Sequence, residues 1–102
     1  MVTLPLEIPR QSVAAFCERN HILKLSLFGS VLTERFRDES DIDMLVEFEP
    51  GRNPGLLGIA GMEIELSELL GRKVDLRTPK DLSRYFREEV VASAVPQYER
   101  QA

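Results

Sequence analysis

Three aspartates in this chain are spaced for joint chemistry. Asp41 and Asp43 flank Ile42 at the start of a segment whose apolar residues alternate. On a strand, residues i and i+2 project from one face, only several ångströms apart. Carboxylates that close repel each other unless a cation or a proton lies between them. Magnesium is the natural cation, because it takes hard oxygen ligands and binds through one or two carboxylates together with substrate phosphates. Asp75, flanked by Val74 and Leu76, lies on a second alternating segment that can aim it at the first two.

Upstream, Phe28-Gly29-Ser30 is separated from Asp41 by a ten-residue gap. Glycine lets a phosphate approach the backbone, the start of a helix offers free N–H groups, and serine adds a hydroxyl. Taken singly, an Asp-x-Asp is commonly a solvated strand edge and a Gly-Ser pair is commonly a turn. The order, the spacing and the strand–turn context together point to a site for phosphate and metal.

The elements that must position these residues follow from periodicity. A first helix is expected from Ile8-Pro9 to Asn20, with Val13, Phe16 and Cys17 on one face. Ile22–Phe28 reads as a strand, ending where Ser30 can cap a short helix that buries Val31, Leu32 and Phe36. After a polar turn over 37–40, a strand from Asp41 to Phe48 puts Ile42, Met44, Val46 and Phe48 on one face. Asp41, Asp43, Leu45 and Glu47 take the other. Residues 50–55 are a Pro/Gly loop. A long helix over 56–70, with Leu57 and Ile64 on its core side, stops at Gly71. A strand over 73–78 carries Asp75 and Arg77 on one face, and 80–94 reads as a helix with Leu82, Phe86 and Val90 in line. Pro96 ends it and leaves a short tail. The resulting order α-β-α-β-α-β-α predicts an α/β or α+β layer fold around a small sheet. The first strand lacks a following GxGxxG, so a dinucleotide fold is a poor match.

Composition narrows the function. The 102 residues suit one domain over 1–102, with 43% apolar residues for a modest core. With 13 basic against 17 acidic residues the net charge is −4, which argues against direct nucleic-acid binding. Cys17 is alone and suits a packing role in a reducing compartment; His21 is alone and suits a surface turn. The first residues do not form a signal peptide, and no apolar run approaches the roughly 20 residues that span a bilayer. The expectation is a soluble, cytoplasmic protein with no membrane partner. Glu63, Glu65 and Glu68 read as a solvated helix face, Arg77 as half of a surface ion pair, Tyr85 as a residue available to a partner, and Phe86 as core. Tyr98 receives no assignment.

The stretch LFGSVLTERFRDESDIDMLVEF, with the later KVDLRT, resembles the minimal nucleotidyltransferase (MNT) family of the DNA polymerase β superfamily. The resemblance covers nearly the whole chain. It implies a mixed sheet flanked by helices and magnesium-dependent transfer of a nucleoside monophosphate, usually AMP from ATP. It further implies that Gly29 and Ser30 hold the β and γ phosphates and that Asp41 and Asp43 bind two magnesium ions. Asp75 would join them on the metal that activates the acceptor, or serve as base. In this family the acceptor is typically a HEPN-domain toxin, an RNase silenced by AMP placed on a tyrosine, and the MNT protein is its antitoxin. Many members carry arginine three places after the serine, often followed by glycine. Here those positions are Thr33 and Glu34, which leaves Arg35 or Arg37 to supply a phosphate-facing cation. The departure supports an alternative, a non-catalytic antitoxin that neutralises its partner by occlusion. A small-molecule nucleotidyltransferase is a third reading, disfavoured by the lack of a substrate domain.

Overall fold

The computed structural model describes residues 8–37 and 39–100. Helix α1 (Arg10–Arg19) starts after Pro9, whose carbonyl accepts the Val13 N–H at 2.9 Å. It ends at Asn20, whose backbone N–H (3.1 Å) and side-chain amide nitrogen (2.8 Å) both donate to the Phe16 carbonyl. His21, at φ 57°, turns the chain into strand β1 (Ile22–Phe28). A 3-10 turn over Gly29–Leu32 follows, then strand β2 (Ile42–Phe48), helix α2 (Gly55–Leu70) and strand β3 (Val74–Arg77). Gly71, at φ 68°, closes α2 in the left-handed conformation expected of a glycine stop. Helix α3 (Arg87–Ser93) and strand β4 (Val95–Glu99) complete the order.

The sheet is mixed, in the order β3-β2-β1-β4. β1 runs antiparallel to both β2 and β4, whereas β2 and β3 are parallel. Register decides the faces. Leu25 lies opposite Val46, Leu27 opposite Met44, Ile42 opposite Val74, and Met44 opposite Leu76. These residues are buried with Val13, Phe16 and Cys17 of α1 and with Met62 and Leu66 of α2, so one face of the sheet is the core. The other face carries Asp43 and Asp75, together with Leu45 and Ser26, which are also buried. The expected α/β layer architecture is observed. Among the described residues, no helix is long and apolar enough to cross a membrane.

Three sequence expectations are corrected. Leu57 and Ile64 do not face the core; they are 91% and 63% exposed, and α2 buries Met62 and Leu66 instead. Leu57 and Ile64 do share a line along the helix, but it is the line away from the sheet. The segment 80–94 is not one helix. Pro79–Asp81 forms a 3-10 turn, and only residues 87–93 are α-helical. Arg87 explains the break: its Nε and Nη2 donate to the carbonyls of Pro79 (2.7 Å) and Leu82 (3.1 Å), acceptors a continuous helix would have used. Phe86 is accordingly 59% exposed and not core. The supposed tail is β4, an edge strand that tolerates Pro96, and its Tyr98 packs against the core.

Candidate active site

The site forms where β1 ends and β2 begins. Asp43 lies opposite Phe28 on one side and Asp75 on the other, so a single row across three strands carries both carboxylates. Asp41 immediately precedes β2 and is exposed, while Asp43 and Asp75 are half-buried. Gly29 follows Phe28 at φ 77°, and a Cβ there would lie 2.5 Å from Asp43 Oδ2. Only glycine lets the Gly-Ser segment approach the carboxylate so closely. Ser30 does not cap the turn, as its position before a helix had suggested: it sits inside the 3-10 turn, which has no side-chain cap. Its carbonyl instead accepts both the Thr33 N–H and the Thr33 hydroxyl, each at 2.9 Å.

The electrostatics are those of a crowded anionic cluster. Burial pushes the Asp43 carboxyl up from its ordinary range, the Asp75 charge pushes it further, Arg77 opposes the shift, and Asp41 adds to it. Two cations offset the outer carboxylates: Lys73 Nζ is 3.7 Å from Asp41 Oδ2, and Arg77 Nη2 is 3.1 Å from Asp75 Oδ2. Arg77 is thus in the ion pair expected of it. As the side chains stand, no three His, Cys, Asp or Glu among the described residues converge to hold a metal ion. The donor set nevertheless fits a hard divalent cation. It is all oxygen, burial and then the neighbouring Asp75 and Asp41 charges raise Asp43, and a glycine keeps the space beside it clear.

The two candidate replacement cations differ. Arg37 Nη1 is bonded to the carbonyls of Glu34 (2.8 Å) and Phe36 (3.3 Å). Arg35 instead lines an open cavity of about 640 Å³ with Gly29, Ser30, Leu32, Thr33, Ser93 and Val95. Arg35 is therefore the one placed beside the Gly-Ser segment.

Sequence reasoning missed the residues that brace the site. Arg72 Nη2 donates to the carbonyls of Arg37 (2.7 Å) and Ser40 (2.9 Å), and its guanidinium lies 4.5 Å from the centre of the Phe36 ring. It thereby ties the loop between Ser30 and Asp41 to the end of α2. Glu63, expected on a solvated face, accepts the Leu76 N–H at 2.7 Å and is half-buried. Its neighbour Glu65 is the partner of Arg19. The one available signal for Arg72 was its place between the helix stop Gly71 and β3.

Relatives give the site its family. The sequence pattern described as the nucleotidyltransferase domain matches residues 10–96. A Methanocaldococcus jannaschii protein, provisionally named a protein adenylyltransferase, is 32% identical over 89 residues, covering 87% of this chain and 92% of its own. Protein adenylyltransferase MntA of Thermococcus cleftensis is 33% identical over 78 residues, covering 76% of this chain and 77% of its own. A solved structure provisionally named a minimal nucleotidyltransferase superposes with a TM-score of 0.70 at 38% identity, covering 85% of this chain and 87% of its own. Two toxin–antitoxin crystal structures share the fold. One contains AMP-PNP (TM-score 0.70, 20% identity, 92% of this chain and 76% of that one). The other is a tri-AMPylated Shewanella oneidensis HEPN toxin with its MNT antitoxin (TM-score 0.62, 20% identity, 90% and 71%). With a family pattern spanning most of its length and a fold shared with a structure 38% identical to it, this chain belongs to the nucleotidyltransferase domain family and is an enzyme of the minimal nucleotidyltransferase kind.

Proposed function

We propose that the chain is a cytoplasmic antitoxin that transfers AMP from ATP, with magnesium, to a tyrosine of a HEPN-family RNase toxin. The observation that carries this reading is the row of Asp43 and Asp75 across the parallel β2–β3 pair, with Asp41 two residues away and Gly29 against Asp43. Asp41, Asp43 and Asp75 would hold two magnesium ions. Bound there, they would polarise the phosphates and lower the pKa of the acceptor hydroxyl. Gly29 and Ser30 would receive the β and γ phosphates, with Arg35 as the nearby cation. The acceptor oxygen bonds to the α-phosphorus as the bond to the β-phosphate oxygen breaks, releasing pyrophosphate. Asp75 would help hold the metal that activates the acceptor, or serve as the base that takes the hydroxyl proton. Positioning and charge neutralisation supply most of the acceleration. The adenylyltransferase names of the relatives support AMP as the transferred group, and the HEPN toxin–MNT antitoxin complex supports the partner.

The test mixes the purified protein, Mg-ATP and the protein encoded beside it, followed by intact-mass measurement of that neighbour. Gain of one or more AMP masses, lost in Asp41→Ala and Asp43→Ala, is the expected result. One observation favours a second reading, neutralisation by occlusion: Thr33, where the family commonly has arginine, is occupied in closing the turn on Ser30. An unmodified neighbour that is still fully neutralised, even by the Asp41→Ala/Asp43→Ala double variant, would establish occlusion instead.

A further inference from the structure

Strand β3 has four residues and, among the described residues, pairs with β2 alone. Such a strand carries little register information of its own, and a slip of one residue would turn Asp75 into the core. Its free edge is occupied by helix α2. The Glu63 carboxylate accepts the Leu76 N–H at 2.7 Å, and the Ser67 hydroxyl accepts the Val74 N–H at 2.9 Å. The Ser67 hydroxyl in turn donates to the Glu63 carbonyl at 2.6 Å. Four residues along a helix rise about 6 Å, and two residues along a strand rise about 6.6 Å. Glu63 and Ser67 therefore match the spacing of the two outward N–H groups, and Asp75 lies between those two pegs.

We propose that Glu63 is a positioning residue for nucleotidyl transfer, which together with Ser67 locks β3 in the register that holds Asp75 beside Asp43. The inference rests on the reading of Asp75 as a metal-holding carboxylate. Glu63 acts through the strand and touches none of the reacting groups. A glutamate bonded only to another surface side chain would have no such consequence, and Glu65, on the same helix and paired with Arg19, provides that comparison.

The test titrates Mn²⁺ by calorimetry into the full chain with AMP-PNP present, and follows amide hydrogen exchange by NMR. Glu63→Leu is expected to weaken Mn²⁺ binding ~10- to 100-fold, the usual effect of removing a residue that orients a ligand. It should also speed exchange at the Leu76 amide. Glu63→Gln, which keeps an oxygen acceptor, should restore both, and Glu65→Gln should change neither. A folded Glu63→Leu that binds Mn²⁺ like the parent, while Asp75→Asn does not, overturns the positioning role. Unchanged binding in Asp75→Asn overturns the underlying reading of Asp75 instead. Should Glu63→Leu fail to fold, Ser67→Ala replaces it: weakened Mn²⁺ binding supports the proposal and parent-like binding overturns it.

Discussion

Gly29 and Asp43 are in a contact that a side chain at position 29 would obstruct: a Cβ there would lie 2.5 Å from Asp43 Oδ2. Two independent demands meet at Gly29, its positive φ and the carboxylate against it. Gly29→Ala is therefore expected to cost about 1–3 kcal/mol of backbone strain. It should also displace Asp43, so nucleotidyl transfer should fall much further than stability. Urea melts and AMP incorporation measured on one preparation check this. Parent-like activity in a stable Gly29→Ala protein would show that the approach is not needed.

Asp43 makes the metal-free protein sensitive to pH in a definite direction. Its carboxyl is raised above the ordinary range by burial and by Asp75. An acid raised on folding binds its proton more tightly in the folded state. Its contribution is thus complete below the unfolded pKa and is lost as pH rises through the folded value. Relative to Asp43→Asn, the parent should lose thermal stability across that interval, and magnesium should return it at neutral pH. Melting both proteins from acid to neutral pH, with and without Mg²⁺, measures the difference. Parallel curves for the two proteins would contradict it.

Cys17 is fully buried among core residues, and burial pushes its thiol up to about 12, with Glu18 adding to the shift. The thiolate is the reactive form. A disulfide reagent near pH 8 should leave Cys17 untouched in the folded protein and label it promptly in denaturant. Rapid labelling under native conditions would mean that α1 opens readily.

The outward line of α2 can be separated from its inward line by substitution. Leu66→Ala, at a fully buried site, should cost about 2–5 kcal/mol. Leu57→Ser, at a site 91% exposed, should stay within about 0.5 kcal/mol. Paired denaturation curves decide. Comparable losses would place Leu57 in a contact that this fold does not contain.

What the sequence made legible, and what it hid, follows the range of the interactions. Asp43 and Asp75 could each be assigned a face, because period-two alternation along one strand is local. That the two lie directly opposite each other is a property of the parallel β2–β3 register, set across the whole of α2. The core face of α2 was misread because the sequence GLLGIAGMEIELSELL has apolar residues on both of its lines, and periodicity cannot rank two such lines. The break before α3 depends on Arg87 capturing the carbonyls of Pro79 and Leu82, a contact with no local signature. β4 was hidden by Pro96, which counts against a strand except at a sheet edge. Glu63 looked like any helix glutamate until β3 was placed beside it.

The pairing of β1 with β4 also bears on how the protein is made. β1 is an interior strand, yet one of its two neighbours, β4, leaves the ribosome after all the other described elements. Throughout synthesis of the intervening helices, the strand that leads to Gly29 and Ser30 keeps one edge open. Open edges of this kind invite pairing with other chains. The nascent chain is therefore most vulnerable to aggregation after Asp41, Asp43 and Asp75 have been made and before residues 95–99 emerge.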